Sequence, residues 1–507
     1  MSLTKRIVKD SIQYSLSSYI YSTFKIFSSV MIRKVLPLTA MGNTTSLFLI
    51  IDHVKLNHLG VLNALDREVP YHKGKNDQKK IEDIQSTSLN FYFLITLITS
   101  SILGVAILIL KHFTGNSPFL DGLMYVPLFL IAYTFFSYHR VILRAQNQFS
   151  LLSKLNILTT MIEIPSTILF VILFGVKGIV ISIILTYFIC CLYLKLKGQF
   201  NISINLFSIK LKELTSLLKI GFPLLIDQIV MGLFLRSDQF IIVFFLGQAE
   251  LGLYSLALLA VNFIMPFSQT LYNVIAPRFY EAYGKCQDIH AIKKYLITPT
   301  IVITSFTAIF IGTAIIILPP FVYHVLPKYV NGLFAIKTLL FSTFFLSVIN
   351  MWGYFLIATY RQNQIVVLNS CAMIINIILN VILIYFFNLG INGVALATTL
   401  AYMISSTFYI FYVHSFFTKK VKKHILLIFR IYFPILWVAL VLFFMQPYII
   451  YPHNSLFNDI YYTSFLIAIF LTTCLPLFFL INKESRIFNL LVQVFKEYKF
   501  TAVEKAY

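Results

Sequence analysis

Long apolar runs separated by short polar turns recur along the chain, from near residue 11 to near residue 481. About 20 consecutive apolar residues let one helix cross the hydrocarbon core of a bilayer. Such runs fall near 11–32, 43–65, 88–110, 119–139, 151–174, 176–194, 214–246, 250–276, 296–320, 333–358, 365–387, 390–412, 425–446 and 459–481. The pattern predicts an all-α polytopic membrane protein with about fourteen transmembrane helices. No connection is large enough for a soluble domain; the longest lie near 66–86, 195–213 and 277–294. The first run lacks a short apolar core followed by a small-residue cleavage site, so no cleavable signal peptide is expected.

The positive charges sort by connection. Of the 40 Lys and Arg, 30 fall on one alternating set of segments, including Lys5, Arg67, Arg140, Lys210, Arg278, Arg361, Lys419 and Lys496. Five (Arg33, Lys34, Lys111, Lys177 and Lys328) fall on the other set, and five (Lys25, Lys55, Lys219, Arg236 and Lys337) lie within spans. This bias predicts that both termini are cytoplasmic. It also absorbs most of the net charge of +21, so no nucleic-acid partner is expected. A hydrophobic share of 59%, a charged share of 12% and a mean hydropathy of +0.84 exclude an ordinary soluble fold. The five cysteines form no CxxC or Cys/His cluster, and no GxxxxGK[ST] motif is present. Neither a metal site nor a nucleotide or other cofactor is expected.

The pattern also repeats. With an offset of 210, Lys9 meets Lys219, Phe24 meets Phe234, Leu36 meets Leu246, Gly42 meets Gly252, Asn63 meets Asn273 and Gly74-Lys75 meets Gly284-Lys285. Further on, FGVKGIVISIILTYFI (174–189) aligns with LGINGVALATTLAYMI (389–404), pairing Gly175 with Gly390 and Tyr187 with Tyr402. Helices 1–6 and 7–12 therefore read as two copies of one unit. Six is even, so the copies share one orientation, as parallel repeats about an axis along the membrane normal. The expected division is an N-lobe over 1–198, a C-lobe over 199–418, and two further helices with a cytoplasmic tail over 419–507. Two such lobes around a central cavity are a transporter architecture.

Charges inside spans cost roughly 2.5–3.5 kcal/mol each on insertion scales, so they mark function more often than chance would. Tyr14, Ser18, Ser22, Lys25 and Ser29 form a polar stripe on the first helix. On the second, Asp52 and Lys55 are three apart and can pair, with Asn63 and Asp66 continuing their face. The seventh carries Asp227, Arg236 and Asp238; the two acids share a face and Arg236 projects elsewhere unless Pro223 or Gly232 distorts the helix. Lys25 aligns with Leu235, next to Arg236, so each copy offers a cation at similar height. Lys25, Lys55 and Arg236 are the candidate substrate-binding cations. They suit an anion such as a diphosphate, which Arg grips through two hydrogen bonds and Lys attracts as a point charge. Asp52, Glu163, Asp227 and Asp238 are candidates for ion coupling or charge pairing.

Each of these has a plainer reading. Lys219 and Lys337, near helix ends, snorkel. Asp52–Lys55 could serve only to neutralise charge during insertion, and Arg236–Asp238 could be a structural clamp. His53 and His58 read as hydrogen-bonded structural histidines ahead of proton carriers. Glu163, two residues before Pro165, has no partner that the sequence identifies.

Arg236-x-Asp238, FFLG (244–247) and LGLYSLA (251–257) resemble the start of the second half in polysaccharide flippases of the multidrug/oligosaccharidyl-lipid/polysaccharide exporter superfamily. LPLTAMG (36–42) and GVLNALDREVPYHKGKND (60–77) resemble the corresponding turn and first cytoplasmic loop. The resemblance implies that the protein is not an enzyme but moves an undecaprenyl-diphosphate-linked oligosaccharide, of O-antigen or capsule type, across a bacterial inner membrane. It further implies alternating access, coupling to a proton or sodium gradient, and polysaccharide-assembly proteins as partners alongside membrane lipids. A drug/cation antiporter of the same fold and a peptidoglycan-precursor flippase are the alternatives. A membrane polymerase or ligase is disfavoured by the lack of a sizeable outward loop.

Overall fold

The structure is a computed structural model that describes residues 3–479, apart from 75, 116, 147, 200–208, 287–288, 360, 450–454 and 478. Among the described residues it is helical throughout, with no strand. Two compact units, Met1–Ser255 and Leu256–Tyr507, divide within one long helix.

The first unit holds α1 (Leu3–Val35), α2 (Leu38–Val54), α3 (Val61–Gly74), α4 (Gln78–Thr114), the short α5 (Pro118–Leu123), α6 (Val126–Ala145), α7 (Phe149–Phe174), α8 (Val176–Leu196), α9 (Leu211–Phe245) and the start of α10 (Gln248–Cys286). The second holds the rest of α10, then α11 (Ile289–Val325), α12 (Leu333–Ala358), α13 (Gln362–Tyr385), α14 (Gly390–Ser415), α15 (Val421–Met445) and α16 (Leu456–Thr473). Twelve helices among the described residues are long and apolar enough to cross a membrane, and they coincide with the third to fourteenth expected spans. The residues of the first two expected spans are also helical, the second divided into α2 and α3 of 17 and 14 residues.

The second expected span is not one helix. α2 ends at Val54, a 3-10 turn covers Lys55–His58, Leu59 and Gly60 adopt left-handed φ values of 49° and 87°, and α3 starts at Val61. Asn63 and Asp66 therefore do not continue the face of Asp52; Asn63 pairs with Gln228 on α9 and Asp66 with Arg144 on α6. The break has a packing reason. Gly60 and Gly221 on α9 sit so close that a Cβ on either would run into the other's backbone. Several helices also exceed their apolar runs, because polar turns extend them past the apolar core. α4 starts at Gln78, where the Asp77 carboxylate accepts from the Lys80 amide at 3.1 Å, a helix cap that hydropathy does not register.

Apolar clusters close the first unit toward the two ends of its helices. One joins Leu47, Ile51, Leu120, Phe129, Val176 and Val180; another joins Val61, Leu65, Ile84, Tyr92, Tyr138 and Leu217. Between them α4 and α6 bring Thr96 and Thr134 together, both fully buried. In the second unit α14 packs between α12 and α13, and α11 packs on α12, α15 and α16. His324 and the buried Asp459, 2.6 Å apart, tie α11 to α16, and the Phe470 ring fills the space a side chain at Gly312 would need.

Candidate functional site

The charged residues of the expected spans gather in the first unit as two connected groups. In one, the Asp52 carboxylate stands between two cations: Lys55 Nζ lies 2.8 Å from Oδ1, and the Arg236 guanidinium lies 2.5 Å from Oδ2. α2 and α9 thus meet through a charge network. Each of the three side chains keeps about a quarter to a third of its surface exposed. The Lys55 ammonium also sits over the Phe129 and Tyr133 rings, 5.6 and 5.5 Å from their centroids, a cation–π arrangement that offsets lost hydration.

In the other group, α1 and α7 contribute Lys25 and Glu163, which form a loose 3.8 Å ion pair. Tyr21, one turn before Lys25, closes the contact: Lys25 Nζ donates to its hydroxyl at 3.0 Å, and that hydroxyl donates to Glu163 Oε2 at 3.2 Å. The Lys25 side chain is 58% exposed and Glu163 only 12%, so the acid is seated in the protein and the cation reaches outward from it. Asp52 lies within electrostatic range of Lys25, which joins the two groups. Tyr187, beside Tyr133 and stacked on Phe136 at 4.5 Å, lies within electrostatic range of Glu163 and Tyr21.

The break in the second span is pinned from the side. Asn57 donates both amide hydrogens, to Thr96 Oγ1 at 3.1 Å and Thr99 Oγ1 at 3.0 Å. Thr96 meets Thr134 at 2.8 Å, and Thr134 donates to the Leu130 carbonyl at 2.9 Å. A chain of hydroxyls in the dry core therefore fixes the turn that follows Lys55, which sets where the Asp52–Lys55 pair can point.

The other candidates lie elsewhere. Asp238 does not pair with Arg236; it is buried and accepts from the Tyr254 hydroxyl at 2.6 Å and the Gln239 amide at 2.8 Å. The side chain of Asp227, like those of Tyr14 and Ser18, lies outside the described residues. His53 is hydrogen-bonded to the Leu49 carbonyl, and His58 accepts from the Gly60 amide across the break. Arg33, expected in a loop, is buried: it donates to the Ser29 carbonyl and hydroxyl, and to the Ser255 carbonyl at 2.9 Å. Sequence reasoning missed Tyr21, Asn57 and the ring pair of Phe129 and Tyr133. Tyr21 was within reach, since it lies four residues before Lys25.

Comparison with known proteins bears on this arrangement. Residues 76–326 match a family described as polysaccharide biosynthesis protein. No curated protein sequence matches the chain. Among solved structures, the chain is similar to an inward-facing multidrug resistance transporter of the MOP superfamily, with a TM-score of 0.68 at 14% identity, over 80% of this chain and 97% of that one. It is similar to the lipid II flippase MurJ in an inward closed conformation, with a TM-score of 0.67 at 16% identity, over 91% of this chain and 98% of that one. A Pyrococcus furiosus transporter of the same superfamily, described as having a binding pocket of reversed polarity, gives a TM-score of 0.55 at 16% identity, over 81% and 94%. The chain is thus a multi-pass membrane protein with a transporter fold, and the family match agrees with the resemblance its motifs carry.

Proposed function

We propose that this protein is a flippase for oligosaccharides linked to undecaprenyl diphosphate, carrying O-antigen- or capsule-type precursors across a bacterial inner membrane by alternating access. The observation that carries this reading is that Arg236, Lys55 and Lys25 are three partly exposed cations within expected spans of the first unit, set against the carboxylates Asp52 and Glu163. A charge there is costly unless it meets a ligand or an aqueous path. Three cations against two acids favour an anionic passenger. Arg236 can grip a diphosphate through two hydrogen bonds, and the two lysines add charge without fixing its orientation. Charge bias supports cytoplasmic termini in this reading, with the copies spanning 1–198 and 199–418 as the elements that rock and 419–507 appended. Asp52 and Glu163 are the coupling acids in this reading.

The test is surface polysaccharide export in a strain that depends on this gene. Lys25→Ala combined with Arg236→Ala should abolish export while the protein stays in the membrane. Unchanged export would remove the cations from the mechanism. A drug antiporter would instead extrude cationic drugs from vesicles, and the excess of cations at the site argues against it. A peptidoglycan-precursor flippase would handle the same diphosphate chemistry; the polysaccharide biosynthesis match favours the oligosaccharide.

A further inference from the structure

The same site carries its own counter-ions. Arg236 and Lys55 both rest on Asp52, and Lys25 rests on Glu163 through a direct contact and through Tyr21. A rigid anion receptor would leave its cations open. Here each positive group is occupied by a carboxylate of the protein, and the five side chains together carry a net charge of +1. Such an arrangement suits a carrier that must also return empty. Three unpaired cations in a low-dielectric environment would be heavily penalised, and internal carboxylates remove that penalty.

We propose that Asp52 and Glu163 are displaceable resident counter-ions, which an incoming diphosphate replaces on Arg236 and Lys25 and which take these two cations back once the diphosphate leaves, Lys55 staying with Asp52 throughout. The proposal rests on the reading of the cations as the substrate's anchor. The geometry differs between the two pairs in a way that orders the exchange. Lys25 is the more exposed cation and its acid contact is long, at 3.8 Å, so it is the easier one to win. Arg236 is held at 2.5 Å and competes with Lys55 for one carboxylate, so releasing Arg236 leaves Asp52 still paired with Lys55 at 2.8 Å. No acid therefore needs to be stranded when the anion takes the guanidinium. Lys55, kept over Phe129 and Tyr133, is the cation built to stay with Asp52.

The roles follow as a competition that can be measured. Inorganic pyrophosphate is the probe, titrated calorimetrically into the full-length protein in lipid nanodiscs. Asp52→Asn and Glu163→Gln keep side-chain shape and remove the competing charge, so each should tighten pyrophosphate binding by about tenfold. The same two variants should slow polysaccharide export, because the cations no longer have an internal partner that helps expel the anion. Arg236→Ala should weaken pyrophosphate binding about tenfold or more. If Arg236→Ala and Lys25→Ala bind pyrophosphate as the wild type does, the anchor reading itself fails. If they lose binding but both amide variants bind no more tightly than wild type, the counter-ion proposal alone is overturned. Asp52→Ser supplies a second uncharged side chain should Asp52→Asn fail to assemble, and it too should tighten binding.

Discussion

Gly42 at the start of α2 packs on the carbonyl of Gln248, and Gly252 at the start of α10 packs on the carbonyl of Leu38. These are one contact made twice, because 42 and 252 and likewise 38 and 248 are separated by the same 210 positions. Ser46 adds a hydroxyl donated to Gln248 Oε1 at 2.9 Å, and Arg33 holds the Ser255 carbonyl. Neither glycine tolerates a side chain without moving backbone. Gly42→Ala and Gly252→Ala should each cost about 1–3 kcal/mol by overpacking, read as lowered thermal melting of the purified protein. A normal melting temperature in either variant would mean that the two turns can separate freely.

Gly60 and Gly104 should respond in opposite directions to the same change. Gly60→Ala meets both a positive φ of 87° and the backbone at Gly221, so a loss of about 1–3 kcal/mol is expected. Gly104 lies inside α4 with nothing closer to its added methyl than Pro127 Cγ at 4.0 Å. Gly104→Ala should stabilise by about 0.5–1 kcal/mol. Melting curves of the two variants side by side separate a backbone requirement from a merely small side chain.

Asp238 and Arg236, two residues apart, should fail in different ways. Asp238→Ala removes a buried carboxylate that accepts from the Tyr254 hydroxyl and the Gln239 amide and should cost about 1–3 kcal/mol of stability. Export should then fall only as the amount of folded protein falls. Arg236→Ala, at a partly exposed position, should leave melting nearly unchanged and reduce export per molecule at least tenfold. Immunoblots of membranes beside export assays distinguish the two. Equal losses per molecule would contradict the division of labour.

Asn57→Ala should loosen the turn without touching a charge. It removes both donors to Thr96 and Thr99 and should destabilise by about 1–2 kcal/mol, with faster amide exchange over Lys55–Val61 than over α4. Uniform exchange across the two segments would mean that the hydroxyl chain does not hold the break.

Much of this was legible from hydropathy. Apolar runs located the helices because a bilayer leaves a buried backbone no other way to satisfy its hydrogen bonds. The charges inside those runs also pointed to the candidate site, since Lys25, Lys55, Asp52 and Arg236 stand out against their neighbours. Apart from the Asp52–Lys55 pair, three residues apart, their partners did not. Arg236 chose Asp52 over Asp238 because Asp238 is turned into the core toward Tyr254, and such a preference depends on helix rotation, which local sequence leaves open. Glu163 found Lys25 from 138 positions away, a pairing set by the packing of α1 on α7. The break after Lys55 was missed for a related reason. Leu59 gives no turn signal, and Gly60 becomes a breaker only because Gly221 presses against it.

That break acts as a joint. Gly60 seated on Gly221 is a fulcrum, α2 is the arm that leaves it, and the Asp52–Arg236 contact is a latch between that arm and α9. On the counter-ion proposal, an anion that takes Arg236 opens the latch while the fulcrum stays engaged, and the N-terminal end of α2 stays anchored on α10 through Gly42 and Ser46. Exchange of partners at one guanidinium would then act on the break end of α2 alone, a division that a straight, unbroken span does not contain.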